Sequence, residues 1–133
     1  MNWKQVAVDR LRQYEGMRNA VFGLPRELSR LRVEAFRVQS GWAEDRLLNN
    51  IVRRQELSAV LEQAREAVSA TDRALQCLNR RERLILQRMY IYPEKGAAGR
   101  LCNELGLGRS VVYRNRDHAL RKFALALYGA LPS

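Results

Sequence analysis

The stretch that decides the fold runs from Asn79 to Leu127, NRRERLILQRMYIYPEKGAAGRLCNELGLGRSVVYRNRDHALRKFALAL. Three apolar phases separated by two breaks read as three short helices. In the middle phase Ala97, Ala98, Leu101, Cys102 and Leu105 recur at the spacing of a single buried helical stripe. Gly106 follows, where a residue able to take positive φ closes a helix, then Leu107 as an apolar plug and Gly108 as the start of the next helix. That helix, expected over about 109–128, carries Val112, Asn115, Ala119 and Phe123 on one face. At about 100° per residue, Arg109, Ser110, Tyr113, Arg114 and Asp117 fall on the other face.

A polar, donor-rich face of this kind suits the major groove, where a guanidinium bonds a guanine edge bidentately and shorter side chains divide phosphates from bases. Arg109, Ser110, Tyr113 and Arg114, with Asp117 as an acceptor, are the candidate base-reading residues. Lys95, Arg100 and Arg116 are the candidate phosphate contacts, and the lone histidine, His118, is expected beside Asp117 near the phosphates. The structural reading of the same residues is a solvated charged face.

Leu78-Asn79-Arg80-Arg81-Glu82-Arg83 to Met89-Tyr90, Leu101 to Leu107, and Ser110-Val111-Val112-Tyr113-Arg114 to His118-Ala119-Leu120 together resemble the fourth conserved region of sigma-70-type factors. They resemble more closely the small phage and prophage regulators of the ArpU and RinA type, over about 55 residues. The resemblance implies a helix-turn-helix module, control of late genes, double-stranded DNA as partner and contact with RNA polymerase. This sequence departs from the pattern at Cys102, where alanine is usual, at Gly108, where a serine or threonine cap is expected, and at Asn115. A glycine cap costs a few tenths of a kcal/mol at about this position.

Outward from this stretch the chain stays helical in pattern. Of 133 residues 47% are hydrophobic and 29% charged, with three prolines and eight glycines, so an all-α fold with a folded core is expected. Residues 1–78 read as a long N-terminal helical hairpin, coiled-coil-like, and residues 79–133 as the DNA-binding module. Trp3, Ala7, Leu11, Tyr14, Met17 and Val21 form one amphipathic stripe. Gly23-Leu24-Pro25 is expected to stop or kink it, although Leu24, Leu28, Leu31 and Ala35 continue the phase. After a break at Gln39-Ser40-Gly41, Trp42 opens a second pattern through Leu48, Ile51, Leu57, Leu61, Ala64, Val68, Leu75 and Leu78. A helix that long needs company along its whole length, which the hairpin and a second copy of the chain would supply; Ser69 to Asp72 is the alternative place for a break. The last helix, apolar from Leu120 to Tyr128, is expected to be packed on two sides before Gly129 and Pro132 end it.

The net charge of +10 is concentrated in the C-terminal stretch. From Asn79 onward there are 11 basic and 4 acidic residues, a surplus of seven; the remainder of the chain contributes three. Arginine dominates, which favours a polyanion over a membrane surface. The start of the chain reads as amphipathic and mixed in charge, without a signal peptide, so a cytoplasmic protein is expected. Cys77 and Cys102 are expected to be reduced core residues, and no metal or other cofactor is implied. No nucleophile, base and orienting group recur together, and Glu82, Glu94, Glu104 and Asp117 read as ordinary surface charges, so an enzyme is not expected. Two further readings share the pattern: a phage DNA-packaging subunit of the small-terminase kind, and a helical adaptor that binds protein alone.

Overall fold

A computed structural model describes residues 2–130 apart from 39, 40 and 42, and the backbone alone of Val38. Gln39, Ser40, Trp42 and Pro132, invoked above as helix boundaries, therefore lie outside the described residues. The chain is all-α: α1 (Trp3–Val38), α2 (Glu44–Gln76), α3 (Arg80–Leu86), which runs on into a π-helical turn (Gln87–Ile91), α4 (Ala97–Leu105) and α5 (Arg109–Tyr128), with no strand among the described residues. No helix among them is long and apolar enough to cross a membrane. By its contacts the chain divides into a unit made of residues 1–15 and 69–133 and a unit made of residues 16–68. The sequence reading divides the same chain at 78/79.

The expected interruption at Pro25 does not occur, because α1 runs through it. A proline inside a helix costs about 3 kcal/mol through its missing N–H and ring crowding. Here the apolar seam continues on both sides, with Met17 and Val21 half-buried before Pro25 and Leu28 and Leu31 buried after it. The alternative break at residues 69–72 is likewise absent: Thr71 is fully buried within α2, and Asp72 accepts a hydrogen bond from the Tyr14 hydroxyl.

In the first unit, two buried clusters set the positions of α3, α4 and α5. Ile85, Leu101 and Val112 meet at zero exposure, ringed by Leu84, Met89, Cys102, Leu105 and Leu107, so the plug expected at Leu107 is seated. Gly106 closes α4 at φ 66°, and the amides of Gly106 and Leu107 both donate to the Cys102 carbonyl, satisfying an end that a β-carbon would strain. The second cluster packs Ala119, Leu120, Phe123 and Ala124 of α5 against Ala7, Val8 and Leu11 of α1 and Ala74, Leu75 and Leu78. Within the chain, burial of α5 is one-sided at its end: Leu125, Ala126 and Tyr128 are exposed, because the start of α1 covers only the side of residues 119–124, so the second packed face expected there is not supplied by the N-terminal helices. Cys77 is exposed and Cys102 half-buried, so neither is a fully buried core residue; both thiols are free.

In the second unit, α1 and α2 run antiparallel, with Leu28 and Leu31 packed on Leu57 and Leu61 and Leu24 beside them. Asn50 is buried on this seam, its amide donating to the Leu31 carbonyl at 3.1 Å. Leu48 and Ile51, grouped with the seam by the sequence reading, are exposed on the opposite side of α2. A period of three and four does not distinguish two apolar faces on one helix when a polar residue, here Asn50, takes a seam position.

Candidate nucleic-acid interface

Local sequence holds α5 in place from both ends. Gly108 precedes it in extended conformation with no side-chain cap, and Gly129 ends it at φ 77°. Val112, Ala119 and Phe123 point into the two clusters at zero exposure, which forces the residues about half a turn away outward. Arg109, Ser110 and Arg114 are exposed and Tyr113 half-buried, so four of the expected reading residues do share the outer face of the first turns. The Arg109 guanidinium lies over the backbone of α4, 3.8 Å from where a β-carbon on Gly99 would stand. Asn115 is half-buried at the edge of this face.

Asp117 and Arg116 are engaged within the protein. The Lys4 ammonium meets Asp117 Oδ1 at 2.8 Å, and Arg116 reaches the same oxygen from Nε at 3.1 Å and from Nη2 at 3.0 Å. Arg116 also lies over the Tyr113 ring at 4.8 Å. Partial burial works to raise the Asp117 pKa, but the hydrogen bonds from Lys4 and Arg116 outweigh it and hold the carboxyl below its ordinary value. The carboxylate anchors the start of α1 to α5 and sets the rotamer of Arg116, which stiffens Tyr113. Among the expected phosphate contacts, Lys95 is exposed in the loop before α4, and Arg100 pairs with Glu94 at 2.8 Å while remaining largely exposed.

Beside the outer face of α5, Arg114, Asp117, His118 and Arg121 line a shallow depression of about 330 Å³ together with Trp3 and Lys4. Three of its side chains are cationic at neutral pH, against one carboxylate. The α5 members stand at i, i+3, i+4 and i+7, a spacing legible in the sequence. Trp3 and Lys4 come from the other end of the chain, and no local pattern announces them. A second depression, about 430 Å³, lies between α3 and α4 and is lined by Arg80, Arg83, Leu84, Gln87, Arg88 and Glu104. Arg88, in the π-helical turn after α3, donates two bonds of 2.9 and 3.1 Å to Glu104 of α4.

Glu82 corrects the reading of it as an ordinary surface charge. Its amide bonds Asn79 Oδ1 at 2.8 Å, its carboxylate accepts from the Asn79 amide at 3.0 Å, and Lys122 of α5 reaches that carboxylate at 3.1 Å. The Asn-x-x-Glu pattern is a capping box, and the signal stands in the sequence. The buried carboxylate is satisfied by two partners, the Asn79 amide and the Lys122 ammonium. Comparison of the chain with family models, with curated proteins and with solved structures returned no match.

Proposed function

We propose that the chain is a sequence-specific double-stranded-DNA-binding protein of the transcriptional-regulator class, in which α4, the Gly106–Gly108 turn and α5 act as a helix-turn-helix with α5 in the major groove. The observation that carries this reading is the division of α5 into a fully buried face, Val112, Ala119 and Phe123, and an outward face of Arg109, Ser110, Tyr113 and Arg114 at its N-terminal end. Recognition helices present base-contacting residues from that end. The surplus of arginine over the same stretch suits phosphates and guanine edges alike.

In this reading Arg109, Ser110 and Arg114 contact bases, and Tyr113 does so with the support of Arg116 and Asp117. Lys95, Arg100 and Arg116 neutralise flanking phosphates, joined by Lys4 and Arg121 at the depression beside α5. The resemblance to sigma region 4 and to ArpU- and RinA-type regulators supports late-gene control in a phage or prophage. One such module makes only a few base contacts, each worth about 1–3 kcal/mol. The reading therefore includes a second source of affinity, either RNA polymerase or further copies of the chain joined through α1 and α2.

Titration of duplex DNA at several salt concentrations tests the proposal. Several phosphate contacts make log affinity fall steeply and linearly with log salt. Arg114→Ala is expected to cut the preference for the cognate site by roughly 5- to 150-fold, equivalent to about 1–3 kcal/mol, with the melting temperature unchanged because Arg114 is exposed. A flat salt response, or full sequence preference in Arg114→Ala, would remove α5 from the groove.

A further inference from the structure

The helices of the residue 16–68 unit each carry a second apolar stripe on the side away from their shared seam. On α1 that outer edge holds Phe22, Val33 and Phe36, the aromatic pair 68% and 79% exposed. At about 100° per residue, Arg18, Arg26 and Arg37 fall on the same edge and no acidic residue of this unit does. Arg18 lies 6.0 Å from the Phe22 ring centre. On α2 the outer edge holds Leu48, Ile51 and Val52, all exposed, flanked by Glu44, Glu62 and Glu66 with no lysine or arginine among them. One edge is thus aromatic and basic, the other aliphatic and acidic, and they stand on opposite sides of the hairpin.

The geometry points to head-to-tail self-association, in which the α1 edge of one copy docks on the α2 edge of the next. Apolar residues left in water on both edges supply the drive, and the opposite charges favour α1 on α2 over α1 on α1 or α2 on α2. The side chains that would meet are Arg18, Arg26 and Arg37 beside Phe22 and Phe36 on one copy, and Glu44, Glu62 and Glu66 beside Leu48 and Val52 on the next. Because the two edges differ, the contact is heterologous, and copies add in one direction until they close a ring or continue as a filament. This deepens the self-association named above and rests on it, but the experiment contains no nucleic acid, so groove reading and self-association fail separately.

The full chain is examined by sedimentation and light scattering over a concentration series, beside Phe36→Glu, Val52→Glu and the pair Arg26→Glu and Glu62→Arg. Wild type is expected to form species larger than a dimer. Phe36→Glu and Val52→Glu are each expected to be monomeric with unchanged helical circular dichroism, since both positions are exposed. Mixed together they are expected to form a one-to-one dimer, because each retains the edge the other lacks. Arg26→Glu and Glu62→Arg singly weaken assembly by about tenfold or more, and the doubly reversed chain recovers it. A wild type that stays monomeric at its highest soluble concentration overturns the inference. So does a Phe36→Glu or Val52→Glu chain that still pairs with itself, or a mixture that gives no dimer.

Discussion

The two units differ in how completely their apolar residues are enclosed. The unit containing α3, α4 and α5 has Leu11, Ile85, Leu86, Leu101, Val112, Leu120 and Phe123 at zero exposure, drawn from four helices, with the end of α2 packed beside them. Among its described residues the hairpin unit has no large apolar side chain at zero exposure; Leu28, Leu31, Leu57 and Leu61 each retain between 5% and 9%. Two helices alone present one seam, and every residue off that seam faces water. Five helices surround a residue, so truncating it leaves a cavity, whereas water reaches the edges of a two-helix seam. The same difference leaves exposed apolar residues on the hairpin, where self-association is proposed, and backs the polar face of α5, for which DNA reading is proposed, with an enclosed core.

Substitutions make the contrast measurable. The largest effect is expected for Leu101→Asp, which buries a carboxylate among Ile85, Val112 and Leu105 and should abolish the cooperative thermal transition of the α3–α5 core. Phe123→Ala follows at about 3–5 kcal/mol in denaturant unfolding. Leu61→Ala in the hairpin is expected to lose less, about 2 kcal/mol, since its surroundings are already open on one side. Equal losses at Phe123 and Leu61 would mean that the hairpin seam is as enclosed as the other core, and would remove the distinction.

Smaller effects probe how the outer face of α5 is held. Asn79→Ala removes one half of the capping box and should cost about 0.5–2 kcal/mol, visible as a lower melting temperature with α5 still folded. The smallest effect is at Asp117. Its folded pKa lies below the ordinary value, so its contribution is fully present above the usual carboxylate range and disappears as pH falls through the lowered pKa. Amide resonances of Lys4 and Arg116 are expected to shift together in that acid range. In Asp117→Asn that shared transition should be absent, and its persistence would show that another group holds the start of α1.

Much of the candidate site was legible before any coordinates. Gly106 and Leu107 carry their own conformational and packing signals, and the alternation of Val112, Ala119 and Phe123 with Arg109, Tyr113 and Arg114 is a helical period. The capping box at Asn79 and Glu82 was equally legible and was passed over, because a glutamate among arginines reads as a surface charge until its backbone partner is considered. At Pro25 the helix does not stop, because the local penalty is outweighed by a seam whose strength depends on a distant helix, and the apolar phase that continues through it in the sequence is that seam.

What the amino-acid sequence determined alone is whatever acts over a few residues: helical period, the glycine that ends α4, the arginine-rich composition and the outward face of α5. What only the tertiary structure decided is which apolar stripe of each long helix is enclosed, and which charges are spent on the protein itself. Lys4 is 113 residues from Asp117 along the chain and 2.8 Å away in space. A local pattern carries no information about such a pair, because their attraction depends on distance through space.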